Sequence, residues 1–182
     1  MGQLIEVKRL FSFELFYSSK SPKEVSFLSF FNNLPFEDQS NVSKVGRWAL
    51  RVVGSDGEVW VVGSTVKNFV KGEGTKGKDI DFRFLSNLPN QEMIERISKD
   101  LKSFPEGFSQ ESEERWDDYF GIKYFTYKFF PLGNSGRPIH ILPPRIWEMK
   151  PEDQRRLGIF AEGPFCKIDG SILDNFFVAK YF

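Results

Sequence analysis

Cysteine and histidine are almost absent from this chain of 182 residues, which contains one of each. Because Cys166 is the only cysteine, no intramolecular disulfide is possible, and we expect its thiol to be a small buried apolar group. One cysteine and one histidine also exclude the clustered ligands of a structural zinc site. Neither a Walker A loop nor the serine elbow of hydrolases occurs, so the sequence lacks the usual signatures of those two enzyme classes.

Net charge and long apolar runs are missing as well. The 25 lysines and arginines balance 25 aspartates and glutamates, which argues against general electrostatic capture of DNA or RNA but leaves a local basic patch open. No segment approaches the length of a membrane span. Near the start, Glu6, Lys8, Arg9 and Glu14 interrupt the apolar residues, unlike the apolar segment of a signal peptide. We therefore expect a cytoplasmic protein without a membrane partner.

Apolar and aromatic side chains are abundant: 40% of the residues are hydrophobic and 21 are phenylalanine. This composition supports a sizeable, aromatic-rich core, and the length suits one domain. We expect a single domain over residues 1–182 with its core at about 40–145. An N-terminal strand and helix and a C-terminal segment are expected to be appendages to that core.

The most informative stretch covers residues 61–85. An apolar run, Val59–Val62, ends abruptly at Gly63-Ser64, and Thr65–Val70 follows with helical spacing. A loop rich in glycine and lysine then leads to Asp79-Ile80-Asp81-Phe82, in which acids alternate with apolar residues. The pattern predicts a strand, a short helix, a loop and a second strand.

Asp79 and Asp81 are expected to project from one face of that second strand, because side chains two residues apart point the same way. Two carboxylates on one face repel each other, and Mg²⁺, which typically takes one or two carboxylates plus substrate phosphates, would remove the penalty. Upstream, Gly63 allows close approach of a ligand, and Ser64 offers donors at a helix N-terminus, which suits an anion. The residues thus favour metal-assisted phosphoryl or nucleotidyl transfer.

Each of these features has a plainer explanation when taken alone. An Asp-x-Asp pair is common on the solvated face of a strand, Gly-Ser is a turn signal, and a lysine-rich loop is often a flexible connection. Their order along the chain is what favours a site for phosphate and metal over these alternatives.

The order of apolar strand, Gly63-Ser64, short helix and Asp79-Ile80-Asp81 resembles the nucleotidyltransferase superfamily, whose best-known member is DNA polymerase beta. The resemblance implies an α/β (α+β) fold, with a small mixed β-sheet and helices packed mainly on one face. It also implies metal-dependent transfer of a nucleoside monophosphate from a nucleoside triphosphate, such as ATP, to an acceptor. The acceptor (a small molecule, a protein or RNA) and the oligomeric state stay open.

The resemblance further implies roles for individual residues. Asp79 and Asp81 would act in catalysis by holding Mg²⁺ (or Mn²⁺). Alternation places Arg83 on the same strand face, where it would contact a substrate phosphate or pair with a carboxylate. The residues expected to bind the phosphates of the nucleotide are Gly63, Ser64, Lys76, Lys78 and Arg83.

His140 stands where the superfamily usually carries a third acid, between apolar residues on a returning strand. Three roles stay open: a base or metal ligand in place of the acid, a remnant in a protein that binds nucleotide without turnover, or a structural histidine. The alternative function is accordingly a catalytically inactive member that binds a nucleotide or a protein, for example as a toxin–antitoxin component. A structural or interaction domain without a nucleotide site is a further alternative.

Other predicted elements frame this stretch. The first part of the chain is predicted to form a strand at Leu4–Tyr17 and a helix that starts at Ser21-Pro22. The apolar face of this helix is expected to consist of Val25, Leu28 and Phe31. A loop through Glu37–Ser40 and a helix capped by Ser40 or Asn41 follow. In the second part they are a helix whose apolar stripe is formed by Met93-Ile94, Ile97 and Leu101, and a solvated acidic loop at Phe104–Asp118 anchored by Trp116. A hairpin of Tyr119–Phe130 and Arg137–Leu142 follows. The last are a helix-like Pro151–Leu157 and a strand and turn at Phe165–Gly170.

Overall fold

A computed structural model describes residues 24–86, 88, 90–117, 122–133, 136–142 and 163–178. The predicted strand at Leu4–Tyr17, the helix-like Pro151–Leu157 and the side chain of Trp116 lie outside the described part. The described helices are α1 (Phe27–Asn32), α2 (Phe36–Val53), α3 (Gly63–Val70), α4 (Asn90–Asp100) and α5 (Gly170–Val178). The described strands are β1 (Gly57–Val62), β2 (Ile80–Ser86), β3 (Phe108–Asp117), β4 (Ile122–Pro131), β5 (Ile139–Leu142) and β6 (Cys166–Lys167).

The strands form one mixed sheet in the order β3-β4-β5-β2-β1-β6. β2 runs parallel to β5, and the other neighbouring strands are antiparallel. The apolar run of β1 is buried on both faces: Val59 and Val61 belong to the main core, whereas Trp60 and Val62 belong to a smaller cluster on the other side. This double burial explains why β1 shows a continuous apolar run instead of an alternating pattern.

The main core lies between one face of the sheet and the helices, and each of the five described helices contributes buried residues to it. Aromatic rings fill its centre. Phe104 stacks on Phe129 with ring centroids 3.6 Å apart, and Trp48 meets both rings edge-on. The predicted fold class, a small mixed sheet with helices packed mainly on one face, is confirmed.

The start of α1 differs from the prediction. Glu24 forms a parallel bridge with Phe165, so the chain is still extended at that point, and Ser26 then caps the helix by accepting from Ser29 N. The predicted apolar face is confirmed at Phe31, which is buried, but it is wrong at Leu28, which is 50% exposed while Phe27 and Phe30 are buried. Because Glu24 pairs with Phe165, which lies far away in sequence, α1 begins only at Phe27.

The loop predicted at Glu37–Ser40 is wrong, because these residues form the first turns of α2. The helix starts after Pro35, and neither Ser40 nor Asn41 is its cap. Carboxylates in a first helical turn are stabilised by the helix dipole, so a polar stretch of this kind is compatible with a helix start. The predicted apolar stripe of α2 is confirmed, with buried Val42, Val45, Trp48, Ala49, Val52 and Val53.

The acidic stretch predicted as a solvated loop contains β3, a strand of ten residues that pairs with β4 along its whole length. Residues 109–114 are all exposed, so no apolar alternation marks the strand. Backbone hydrogen bonds to β4 supply the pairing, and charged side chains on an outer strand discourage pairing with other chains.

The other predicted elements are found. α4 buries Met93 and Ile97, and β4 and β5 form the predicted antiparallel hairpin. Residues 163–178 supply β6 to the sheet and α5 to the core, where Leu173 is fully buried. The division into a core at about 40–145 with terminal appendages stays a prediction. None of the described helices combines the length and the apolar character that crossing a bilayer requires.

The first testable prediction concerns Cys166, which is fully buried in β6 and confirms the expected apolar role. Burial, assisted by the negative charge of Glu24, raises the pKa of the Cys166 thiol to about 12. Only a thiolate attacks disulfide reagents, so roughly one thiol in ten thousand is reactive at pH 8. We expect no measurable reaction with Ellman's reagent over minutes in the native protein and about one thiol per chain in 6 M guanidinium, both read from absorbance. Rapid stoichiometric reaction of the native protein would show that β6 is not held against β1.

Candidate active site

The candidate site lies on the face of the sheet opposite the described helices, where β1 ends and β2 begins. Strand register pairs Val62 with Asp81 across β1 and β2, and Asp81 with His140 across β2 and β5. It also pairs His140 with Lys128 across β5 and β4. Because paired residues point to the same side of a sheet, Val62, Asp81, His140 and Lys128 form one line across four strands, which we call the cross-strand row.

Two carboxylates and one imidazole come together at this row. One ligand atom from each of Asp79, Asp81 and His140 lies within 4.8 Å of the others, and all three residues are half-buried. Opposite ligands of a six-coordinate Mg²⁺ are about 4.2 Å apart, so small side-chain movements bring these donors to coordination distance. The carboxylates suit Mg²⁺ and Mn²⁺, whereas an imidazole is a more usual ligand of Zn²⁺, iron or nickel. The donor set therefore fits a divalent ion.

Hydrogen bonds fix the direction of these side chains. Lys128 Nζ donates to Asp79 Oδ2 at 2.9 Å, and His140 Nδ1 lies 3.2 Å from Asp81 Oδ1. An ionised carboxylate only accepts hydrogen bonds, so Nδ1 of His140 carries the proton in this pair. The other ring nitrogen, Nε2, keeps its lone pair and is the atom of His140 that can accept a proton or bind a metal.

Gly63 connects β1 to α3 directly beside this cluster. Its φ of +83° lies in the left-handed region, and a Cβ at this position would overlap Asp81 Oδ2. Only glycine combines that backbone conformation with the close approach to Asp81. No side chain of the described residues caps α3, and Ser64 is exposed in its first turn. The helix therefore presents N–H groups beside the carboxylates, as an anion site requires.

The lysine-rich loop at 71–79 is held at several points, unlike a flexible connection. Thr75 donates through its hydroxyl to Asn33 O at 3.1 Å, and Asn68 Nδ2 donates to Lys76 O at 2.9 Å. Thr65, in the first turn of α3, donates through its hydroxyl to Asp79 O at 2.9 Å. The side chains of Lys76 and Lys78 are exposed. The loop backbone is thus fixed while its two lysines remain accessible.

Arg137 also fixes this loop, and sequence reasoning missed it. Its Nε donates to Asp38 Oδ2 at 2.7 Å, its backbone N–H to Asp38 Oδ1 at 2.7 Å, and its Nη1 to Thr75 O at 2.6 Å. Asp38 is 2% exposed and lies 99 positions from Arg137 in the sequence. No local sequence pattern could therefore predict this ion pair. One guanidinium therefore joins α2, the loop and the start of β5.

Arg83 lies on the same strand face as Asp81, as alternation predicts, but only 2% of it is exposed. Its register partners are Trp60 in β1 and Leu142 in β5, both of which belong to the smaller apolar cluster or pack against it. A phosphate contact by Arg83 stays a prediction, as do the roles expected for Gly63, Ser64 and the two loop lysines.

Comparisons with protein-family models and with curated proteins give no match. Among solved structures, a CCA-adding enzyme with ATP is 21% identical at a TM-score of 0.42, over 77% of this chain and 27% of that chain. A CCA-adding enzyme with CTP is 20% identical at 0.42, over 78% and 27% of the two chains. The Thermotoga maritima CCA-adding enzyme complexed with tRNA is 24% identical at 0.40, over 70% and 25%. This chain thus spans about a quarter of the length of those enzymes. At these identities and TM-scores the likeness does not establish a family.

The second testable prediction separates the two constraints on Gly63, which are its positive φ and its close contact with Asp81. Gly72 has a similar φ of +78°, but a Cβ there would meet nothing within 4 Å. We expect Gly72→Ala to lower the free energy of unfolding by roughly 1–2 kcal/mol, the cost of a left-handed alanine. Gly63→Ala adds the overlap with Asp81, so we expect a loss of about 3 kcal/mol or more.

Urea unfolding followed by tryptophan fluorescence measures both variants. Equal losses in Gly63→Ala and Gly72→Ala would mean that Asp81 moves aside freely, and the close packing of Gly63 on the carboxylate would then not constrain the site.

Proposed function

We propose that the protein is a metal-dependent nucleotidyltransferase that transfers a nucleoside monophosphate from a nucleoside triphosphate to an acceptor. The observation that carries the proposal is the grouping of Asp79, Asp81 and His140 within 4.8 Å of one another beside the uncapped start of α3. Carboxylates that close together favour a divalent cation, and free helical N–H groups favour an anion. A nucleoside triphosphate with its metal satisfies both requirements at once.

In this proposal the nucleotide binds between the start of α3, the lysine-rich loop and the two carboxylates. The backbone N–H groups of Gly63 and Ser64 donate hydrogen bonds to the terminal phosphates. Lys76 and Lys78 approach the same phosphates from the lysine-rich loop. Asp79 and Asp81 hold Mg²⁺ or Mn²⁺, which when bound neutralises charge on the phosphate oxygens. The start of α3 directly follows β1, and the carboxylates lie at the start of the neighbouring β2. The helical N–H groups and the metal ligands are therefore held in a fixed relation before the substrate arrives.

His140 takes the proton of the acceptor in this scheme. The acceptor oxygen attacks the α-phosphorus, the bond from that phosphorus to the bridging oxygen breaks, and pyrophosphate leaves. Nε2 of His140 accepts the proton of the attacking hydroxyl, while Nδ1 stays bonded to Asp81. If His140 instead acts as a metal ligand through Nε2, its loss weakens metal binding as well as turnover, so the two roles are separable by experiment.

The third testable prediction is a metal-dependent stabilisation by nucleotide. A ligand at 100 times its Kd stabilises the native state by about 2.7 kcal/mol, which raises the melting temperature of a protein of this size by about 5–10 °C. We expect such a rise with at least one of the four nucleoside triphosphates in the presence of Mg²⁺ or Mn²⁺. The isosteric variant Asp81→Asn is expected to melt without this rise, and the preferred nucleotide identifies the base.

Turnover and its dependence on His140 decide between the enzyme and an inactive binding protein. Release of pyrophosphate from the preferred nucleotide, with candidate hydroxyl acceptors, is the readout. We expect His140→Ala to keep the nucleotide-dependent rise in melting temperature and to lose about a hundredfold or more in rate. Binding without turnover in the wild type would leave the inactive nucleotide-binding member as the function. The absence of any metal-dependent binding by the wild type would contradict the proposal.

A further inference from the structure

Lys128 is a charged residue of the site that the proposed function does not use. It lies in β4, in register with His140, and its ammonium is 2.9 Å from Asp79 Oδ2. The side chain is 35% exposed, and its ammonium also lies 5.7 Å from the ring centre of Phe130. The pair Lys128–Asp79 therefore joins the metal-binding cluster to the neighbouring strand.

We propose that Lys128 is a built-in counter-cation of the carboxylate pair, which gives way to the divalent ion and then binds a phosphate of the nucleotide. The first half concerns the metal cluster alone, and the second half rests on the proposed function. Lys128 would thus couple metal binding to nucleotide binding at this site.

The competition follows from geometry. A cation held by Asp79 and Asp81 uses the carboxylate oxygen that Lys128 now contacts, or lies within a few ångströms of it. An ammonium and a divalent cation that close together repel strongly in a half-buried site. Lysine carries its charge at the end of a flexible stem of four carbons, and the side chain is partly exposed. Lys128 can therefore leave Asp79 without any movement of the strand.

Once released from Asp79, Lys128 can stabilise the bound nucleotide. A metal ion at the cluster brings the phosphates that it binds to the same edge of the sheet, and a released ammonium is attracted to them. The ammonium of Lys128 then donates to a phosphate oxygen instead of to the carboxylate oxygen of Asp79. Metal and nucleotide binding each favour the other through this exchange, because a coupling free energy acts equally in both directions.

The chain offers a matched control for the test. Lys167 in β6 also donates from a strand to a carboxylate, Glu58, at the same distance of 2.9 Å. Lys167→Met therefore removes an ion pair of the same length away from the cluster. Lys128→Met keeps most of the length of the side chain and its packing, and Lys128→Gln is a second variant in case the first does not fold. Lys128→Arg keeps the positive charge.

The experiment that tests the proposal measures Mn²⁺ binding by the loss of the free-ion signal in electron paramagnetic resonance, without nucleotide. We expect Lys128→Met to bind Mn²⁺ about tenfold more tightly than the wild type, with Lys167→Met and Lys128→Arg close to the wild type. Unchanged or weaker binding in both Lys128→Met and Lys128→Gln overturns the proposal. Absence of Mn²⁺ binding to the wild type and to these variants overturns it as well.

Nucleotide titrations at saturating Mn²⁺ then test the second half. We expect Lys128→Met to bind the nucleoside triphosphate about tenfold more weakly than the wild type, although it binds the metal more tightly. Opposite changes in the two affinities are not produced by a general loss of structure. Tighter metal binding in a protein that binds no nucleotide would preserve the exchange of lysine for metal and would refute the proposed function. Unchanged nucleotide affinity would overturn only the phosphate contact of Lys128.

Discussion

The charge of two neighbouring carboxylates is the constraint on which the site depends. Asp79 lies just before β2 and Asp81 lies within it, and both are half-buried, so their like charges cost free energy unless a cation accompanies them. Lys128 supplies a positive charge at Asp79, and Nδ1–H of His140 donates a hydrogen bond to Asp81. One ammonium thus partly compensates two carboxylates, and a site of this kind suits the exchange of that ammonium for a divalent cation.

The sheet makes this cluster possible by bringing three strands into register. β1 delivers the helix start, β2 the carboxylates and β5 the imidazole, and the parallel pairing of β2 with β5 sets Asp81 against His140. Gly63 brings the start of α3 next to the carboxylates, because only a residue without a Cβ allows the backbone to lie so near Asp81. Arg137 then ties the loop to α2, so the exposed lysines extend from a fixed backbone. The apolar core under the sheet supplies the rigidity that keeps these distances short.

The sequence predicts well the features that depend on neighbouring residues. Alternation at Asp79 to Phe82 and the break at Gly63 are local, and they correctly predict a strand, a short helix and a second strand. Contacts between distant residues are not predictable in this way: Lys128 and Asp79 are 49 positions apart, and their meeting depends on the register of β4, β5 and β2. The exposed strand β3 was missed for another reason, since backbone pairing alone supports it and its side chains carry no apolar period.

Binding of a divalent metal between Asp79, Asp81 and His140 can be tested by NMR, because the chain contains a single histidine. The imidazole of His140 gives the only histidine ring signals in a ¹H–¹⁵N spectrum of the chain. A sub-stoichiometric amount of Mn²⁺ bound between Asp79, Asp81 and His140 would broaden these signals together with those of the surrounding residues, because Mn²⁺ broadens the signals of nuclei near it. We expect this local broadening in the wild type and its loss in the Asp79→Asn/Asp81→Asn double variant. Sharp imidazole signals beside broadened signals elsewhere would place the metal at another site and rule out the Asp79, Asp81 and His140 cluster as the metal site.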